Sequence, residues 1–143
     1  MIAPVQGLGE PVGLYSHAVP VPDRTRLVCV SGQLSVDGDG ESVGEDFDAQ
    51  MRQVFSNLAT VMDAAGGSLA DVLKMTTYLV DPAHIDDFYR VRADLFVDLF
   101  PEGVYPGNTL LVVQRLVRPE FLIEIEALAA VPVVDAPGTA EDR

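Results

Sequence analysis

The sequence predicts one domain of mixed helix and strand, and three observations carry that reading. A 48% hydrophobic content over 143 residues is enough to close a single core. Phe47, Met51, Val54, Phe55, Leu58, Val61, Met62 and Ala65 follow the three-and-four spacing of one helical face without a break. Short runs rich in Val, Leu and Ile, bounded by turn residues, alternate with the helical stretches and read as strands.

The first strand is expected at 26–36, "RLVCVSGQLSV", with a bend or a close backbone approach at Gly32; "DGDGE" at 37–41 is a turn by its residue types. The helix over 47–65 follows. Glu45, Asp46 and Asp48 suit its start, and Gly66 and Gly67 its end, where a left-handed residue is needed. "DVLKMTTYLV" at 71–80 reads as a second strand, stopped by Asp81 and Pro82. A second helix spans about 84–99, where Ile85, Phe88, Leu95, Phe96 and Leu99 fall on one stripe and Arg92 falls in its middle. Either the stem of Arg92 lies on apolar surface while its head reaches water or an acid, or its charge lines a pocket.

"NTLLVVQRL" (108–116) and "FLIEIEALA" (121–129) are strand-like and are expected to form a hairpin through Val117, Arg118, Pro119 and Glu120. In the second of them Phe121, Ile123, Ile125 and Ala127 share one face, while Glu124 and Glu126 share the other with Leu122 and Leu128. Two carboxylates in that setting are either a solvent-facing edge or an acid/base site with a raised pKa.

Nine basic against 22 acidic residues give a formal charge of −13, which repels phosphate backbones and anionic membranes, so neither nucleic acid nor membrane is expected as a partner. No apolar stretch reaches the roughly 18 residues of a bilayer span, and no export signal opens the chain; a cytoplasmic home is expected. Cys29, the single cysteine, stands in an apolar run and is expected to be packed. Phosphate-loop, zinc and hydrolase-elbow motifs are missing, and His17 and His84 have no clustered companions, so no metal is expected and His84, near a helix start, is expected at the surface. Lys74, the only lysine, is expected to point outward from the polar side of its strand. From about Pro132 the chain has few large apolar residues, giving a domain over 1–131 and a flexible tail over 132–143.

Several strings, in order and with consistent spacing, resemble the Rid (reactive intermediate deaminase) superfamily of RidA or YjgF-like proteins. They are "GLYSHA" (13–18), "VSGQL" (30–34), the long stretch 46–81, "DDFYRVRADLFVDLF" (86–100), "YPGNT" (105–109) and "IEIEALA" (123–129). The resemblance implies an α+β fold of the chorismate-mutase-like kind, a mixed sheet with two helices on one face, assembled as a homotrimer with clefts between subunits. It further implies cofactor-free hydrolysis of enamine and imine intermediates to a keto acid and ammonia. By position, Tyr15 matches the tyrosine of the family's Gly-Pro-Tyr string, Ser31 and Gly32 match its cleft-lining turn, and Glu124 matches the glutamate that holds the attacking water.

The departures concern charge. Deaminating members read Pro-Ala-Arg-Ser where this chain reads Pro106, Gly107, Asn108, Thr109, so Asn108 stands in place of the arginine that grips the substrate carboxylate. His17 replaces a common glutamine, and Arg92 stands where deaminating relatives have asparagine. Asn108 and Arg92 together suggest an exchange in which Arg92 supplies the cation the strand has lost. The expected catalytic groups are therefore Glu124, with Tyr15 or Asn108 as polar partner to developing charge, and the substrate-binding groups are Arg92, Ser31, Gly32, Thr109 and His17. The expected function is deamination of reactive imines; another hydrolytic activity, or a trimer that binds a small metabolite without turning it over, stays open. Ribonuclease activity is disfavoured by the charge and by the lack of a basic or aromatic strip.

Overall fold

The computed structural model describes residues 5–134. Its elements are β1 (Thr25–Gln33), α1 (Phe47–Ala64), β2 (Val72–Leu79), α2 (Ile85–Leu99), β3 (Gly107–Val112) and β4 (Ile123–Pro132). The four strands form one sheet in the order β1-β4-β2-β3, with β4 antiparallel to both neighbours and β3 parallel to β2.

Helix α1 starts where the acids predicted it. The Asp46 carboxylate accepts the Ala49 N–H at 2.8 Å, and Gly66, at φ +77°, turns the chain away after the last turn. Its buried stripe of Met51, Val54, Leu58 and Met62 meets Phe88, Val91 and Phe96 of α2 and the inward residues of the sheet, among them Met75, Leu79, Ile123 and Ile125, in one core. Both helices thus lie on one face of a mixed sheet. Gln50, fully buried, joins the layers: its Nε2 donates to Gly44 O at 2.6 Å and Glu120 O at 2.8 Å, and its Oε1 accepts from Leu122 N at 2.9 Å. Arg90 ties the helices together outside, reaching Asp48 at 2.7 Å and Asp87 at 3.0 Å.

The hairpin expected between 108–116 and 121–129 is not formed. Helix α2 carries the chain over the sheet, so the strand that follows lies parallel to β2. After Val112 the chain crosses and inserts β4 between β1 and β2, where each of its edges finds a partner. The strand composition was read correctly and its partner was not, because pairing depends on a return path that local pattern does not encode.

Two smaller expectations also change. Cys29 is exposed on the outer face of the sheet, opposite Leu128, because its neighbour Val30 takes the inward position. His84, expected at the surface, is half-buried and stacks on Phe47 at a centroid distance of 4.5 Å. At the far end, Pro132 pairs with Thr25 and the Val133 N–H donates to Arg24 O at 2.9 Å. Residues 135–143 of the expected tail lie outside the described residues. Among the described residues no helix is long and apolar enough to cross a membrane.

Candidate functional site

The outer face of the sheet, opposite the helices, carries the acids. Alternation along β4 turns Ile123, Ile125 and Ala127 into the core and Glu124, Glu126 and Leu128 outward. Glu124 lies opposite Tyr78 of β2, and the Tyr78 hydroxyl donates to Glu126 Oε1 at 3.0 Å. Burial pushes the Glu124 carboxyl above its ordinary value of 4.5, and the charge of Glu126 adds to that. A hollow of about 460 Å³ opens beside the two acids, bounded also by Tyr78, Arg115 and Leu116.

Glu124 reaches across β1 because Gly32 has no side chain. A Cβ there would lie 1.9 Å from Glu124 Oε1 and 2.8 Å from its Cδ, distances no real contact adopts. The bend expected at Gly32 is present as a slip in register between Val30 and Gln33. Ser31, just before it, lines a second hollow of about 350 Å³ together with Cys29, Lys74, Thr76 and Glu126. The Lys74 ammonium points onto this face as expected and donates to Met75 O at 3.1 Å and to Thr109 Oγ1. Burial pulls its pKa down, against the opposing pull of Glu126.

The remaining expected residues gather on the other side of the sheet. The segment 13–17 is pinned by Ser16, which is buried, donates its N–H to Pro106 O at 3.1 Å and its hydroxyl to Tyr105 O at 2.6 Å. This sets Tyr15 and His17 side by side, their rings edge-on at 6.1 Å, and His17 Nε2 lies 2.9 Å from Gly9 O. Asn108, half-buried at the start of β3, accepts a hydrogen bond from the fully buried Thr77 hydroxyl at 3.0 Å.

Arg92 is the most unusual group in the protein. It is 2% exposed, and its guanidinium carbon sits 4.9 Å from the ring centres of both Phe88 and Tyr89 and 5.8 Å from that of Phe96. Among the described residues, its Nε and Nη2 have no hydrogen-bond partner. Burial lowers its pKa, and the charge of Tyr89 and Tyr15 in their ionised forms acts the other way. Gly13 lies over it: a Cβ there would be 2.9 Å from Nη2 and 3.3 Å from Tyr89 Cε1.

One protomer therefore brings Glu124, Gly32 and Ser31 together, with Thr109 held by Lys74 on the same face. It separately brings together Tyr15, His17 and Arg92, with Asn108 on the core-facing side. It does not set Arg92 against Glu124, because Arg92 lies among Phe88 and Phe96 of the core and Glu124 projects from the opposite face. Lys74 and Tyr78 also stand on the outer face beside Glu126, in addition to the residues the sequence singles out for the site. The signal for Tyr78 was its place opposite Glu124, which the hairpin expectation hid by pairing β4 with the wrong strand. No group of three or more His, Cys, Asp or Glu side chains that could hold a metal occurs among the described residues.

Comparison with known proteins gives a consistent answer. The Endoribonuclease L-PSP family matches residues 8–131. A RutC family protein of Pyrococcus horikoshii is 36% identical over 121 residues, 84% of this chain and 89% of its own. A 2-iminobutanoate/2-iminopropanoate deaminase of Salmonella typhimurium is 34% identical over 120 residues, 82% of this chain and 88% of its own. Among solved structures, a Rid-family protein of unknown function from Yersinia pestis superposes with a TM-score of 0.77 at 35% identity, covering 92% of this chain and 98% of that one. RidA from a Psychrobacter species superposes with a TM-score of 0.63 at 35% identity, over 85% and 92% of the two chains. With a family match over most of its length and relatives this similar, the chain belongs to the RidA/YjgF-like superfamily.

Proposed function

We propose that this protein is a cofactor-free hydrolase that converts reactive imine or enamine intermediates to a carbonyl product and ammonia. The observation that carries the reading is Glu124, whose carboxyl is held in the notch left by Gly32, beside an open hollow, with its pKa raised by burial and by Glu126. A carboxylate in that state is a better base than one in water. It takes a proton from water as the oxygen bonds to the imine carbon and the C=N electron pair moves onto nitrogen, which takes up a solvent proton; Glu124 then returns its proton to the carbinolamine nitrogen, the C–N bond breaks as the C=O forms, the hydroxyl proton passes to solvent, and ammonia leaves with the carbonyl compound. Tyr15 and Asn108 serve as hydrogen-bonding partners for the developing charge.

Because one protomer keeps Glu124 apart from Tyr15, Asn108 and Arg92, the complete site in this reading forms where the outer face of one copy meets the Tyr15 edge of another, in a homotrimer. Exposed Leu27, Leu111 and Leu128 support such an assembly. The endoribonuclease name of the matched family is not carried over, since a charge of −13 opposes RNA. One observation favours a second reading, a trimer that binds a small metabolite without turnover: Asn108, in the position of the family's arginine, is already engaged by Thr77.

A coupled assay decides between them. A 2-imino acid is generated in place and its decay is followed with wild type, with E124A and with buffer. Acceleration by wild type and not by E124A is expected; decay at the buffer rate retires the deaminase reading.

A further inference from the structure

A guanidinium that is 2% exposed, with two nitrogens lacking hydrogen-bond partners, stands out against the rule that buried charges are paired. Three aromatic rings flank it, at 4.9, 4.9 and 5.8 Å, but ring faces do not satisfy the N–H groups in the guanidinium plane. What covers Nη2 is Gly13, the residue with the least bulk, in a segment pinned further on by Ser16. Between the aromatic wall and this strap, the unmet donors match the chemistry of a planar oxyanion: two N–H groups of a rigid fork, a low dielectric, and, among the described residues, no competing acid bonded to them.

We propose that Arg92 is the anchor for a small carboxylate, which pairs with Nε and Nη2 when the strap at Gly13 moves aside. The site is distinct from the strand position where relatives of this family carry their arginine, and it makes Arg92 the residue that selects anionic over neutral ligands. The inference rests on the proposed function only for what happens after binding.

The test uses the full chain, pyruvate as probe and its neutral counterpart pyruvamide, measured by titration calorimetry on wild type, R92M and R92K. Wild type binds pyruvate, R92M and R92K bind it about 10- to 100-fold more weakly, and pyruvamide binds weakly to all three. R92K keeps the charge and loses the fork, so it reads the geometry even if R92M were poorly folded by circular dichroism. Equal pyruvate affinity in wild type and R92M, equal binding of pyruvate and pyruvamide to wild type, or no saturable binding of pyruvate to wild type would each overturn the proposal. The two readings fail separately. Arg92-dependent pyruvate binding without imine turnover upholds the anchor and removes the deaminase, and turnover with pyruvate indifferent to Arg92 does the reverse.

Discussion

Replacing Arg92 with methionine should make the protein more stable. Exchange of a buried, imperfectly paired charge for an apolar side chain of similar length gains about 1–4 kcal/mol, since it removes the desolvation of the guanidinium and its two unmet donors. Against that stands the loss of attraction to Phe88, Tyr89 and Phe96, worth about 0.5–2 kcal/mol. The net expectation is a gain of about 1 kcal/mol, or a rise in Tm of about 3 °C for a chain of this size. Calorimetric melts at matched protein concentration measure it, because assembly makes Tm depend on concentration. R92K, which keeps a buried cation, should show no such gain. A fall in Tm of R92M by several degrees would refute the reasoning: the rings would then satisfy the cation, and Arg92 would be a packing element with nothing to bind.

Three further outcomes follow from the same geometry. Glu124 works as a base only when ionised, so kcat/KM should fall as pH drops through an apparent pKa above 4.5; E126Q, by removing the adjacent charge, should move that acid limb to lower pH in a pH–rate profile. The same shift makes protonated Glu124 the stabilising form, fully so below its unfolded value and progressively less as pH rises through the folded one. G32A should push the Glu124 carboxylate from its notch, since the new Cβ would start 1.9 Å from Oε1; a loss of about 100-fold in imine hydrolysis with an unchanged circular dichroism spectrum is expected, and unchanged turnover would detach the notch from function. N108R should not restore the family's clamp, because guanidinium has no acceptor for the buried Thr77 hydroxyl now bonded to Asn108 at 3.0 Å; chemical denaturation should show N108R destabilised by about 1–3 kcal/mol and N108R/T77V recovering most of it.

What the sequence made legible was local. The stripe from Phe47 to Ala65 and the acid cap at Asp46 located α1 to within a residue or so, because helix periodicity and capping involve neighbours in the chain. The same periodicity exposed Arg92 as an intruder. Its missing partners were not legible, since they depend on segment 13–17, which has no periodicity and is placed by Ser16 reaching Tyr105, 89 positions away. The pairing of β4 failed for a related reason: 108–116 and 121–129 look like neighbours in sequence, and only the crossover through α2 puts β2 between them. Lys74, Tyr78 and Cys29 took their places on the outer face as a consequence of that topology, so no inspection of their own strings could have joined them to Glu126.

Strand alternation has a last consequence for how the site works. Asn108 and Thr109 are adjacent in β3, yet one turns toward Thr77 in the core and the other toward Lys74 on the outer face. A ligand that touches Glu124 on one face and Arg92 on the other cannot do so within one protomer without passing through the sheet. Under the proposed function the two halves must come from different copies, so turnover should require assembly even if each protomer is fully folded. Binding to Arg92 has no such requirement, because the strap, the aromatic wall and the guanidinium all belong to one chain. A monomeric variant that keeps pyruvate affinity and loses hydrolysis would therefore separate the anchor from the chemistry, whereas a monomer with full hydrolytic rate would show that Glu124 and Arg92 never share a substrate.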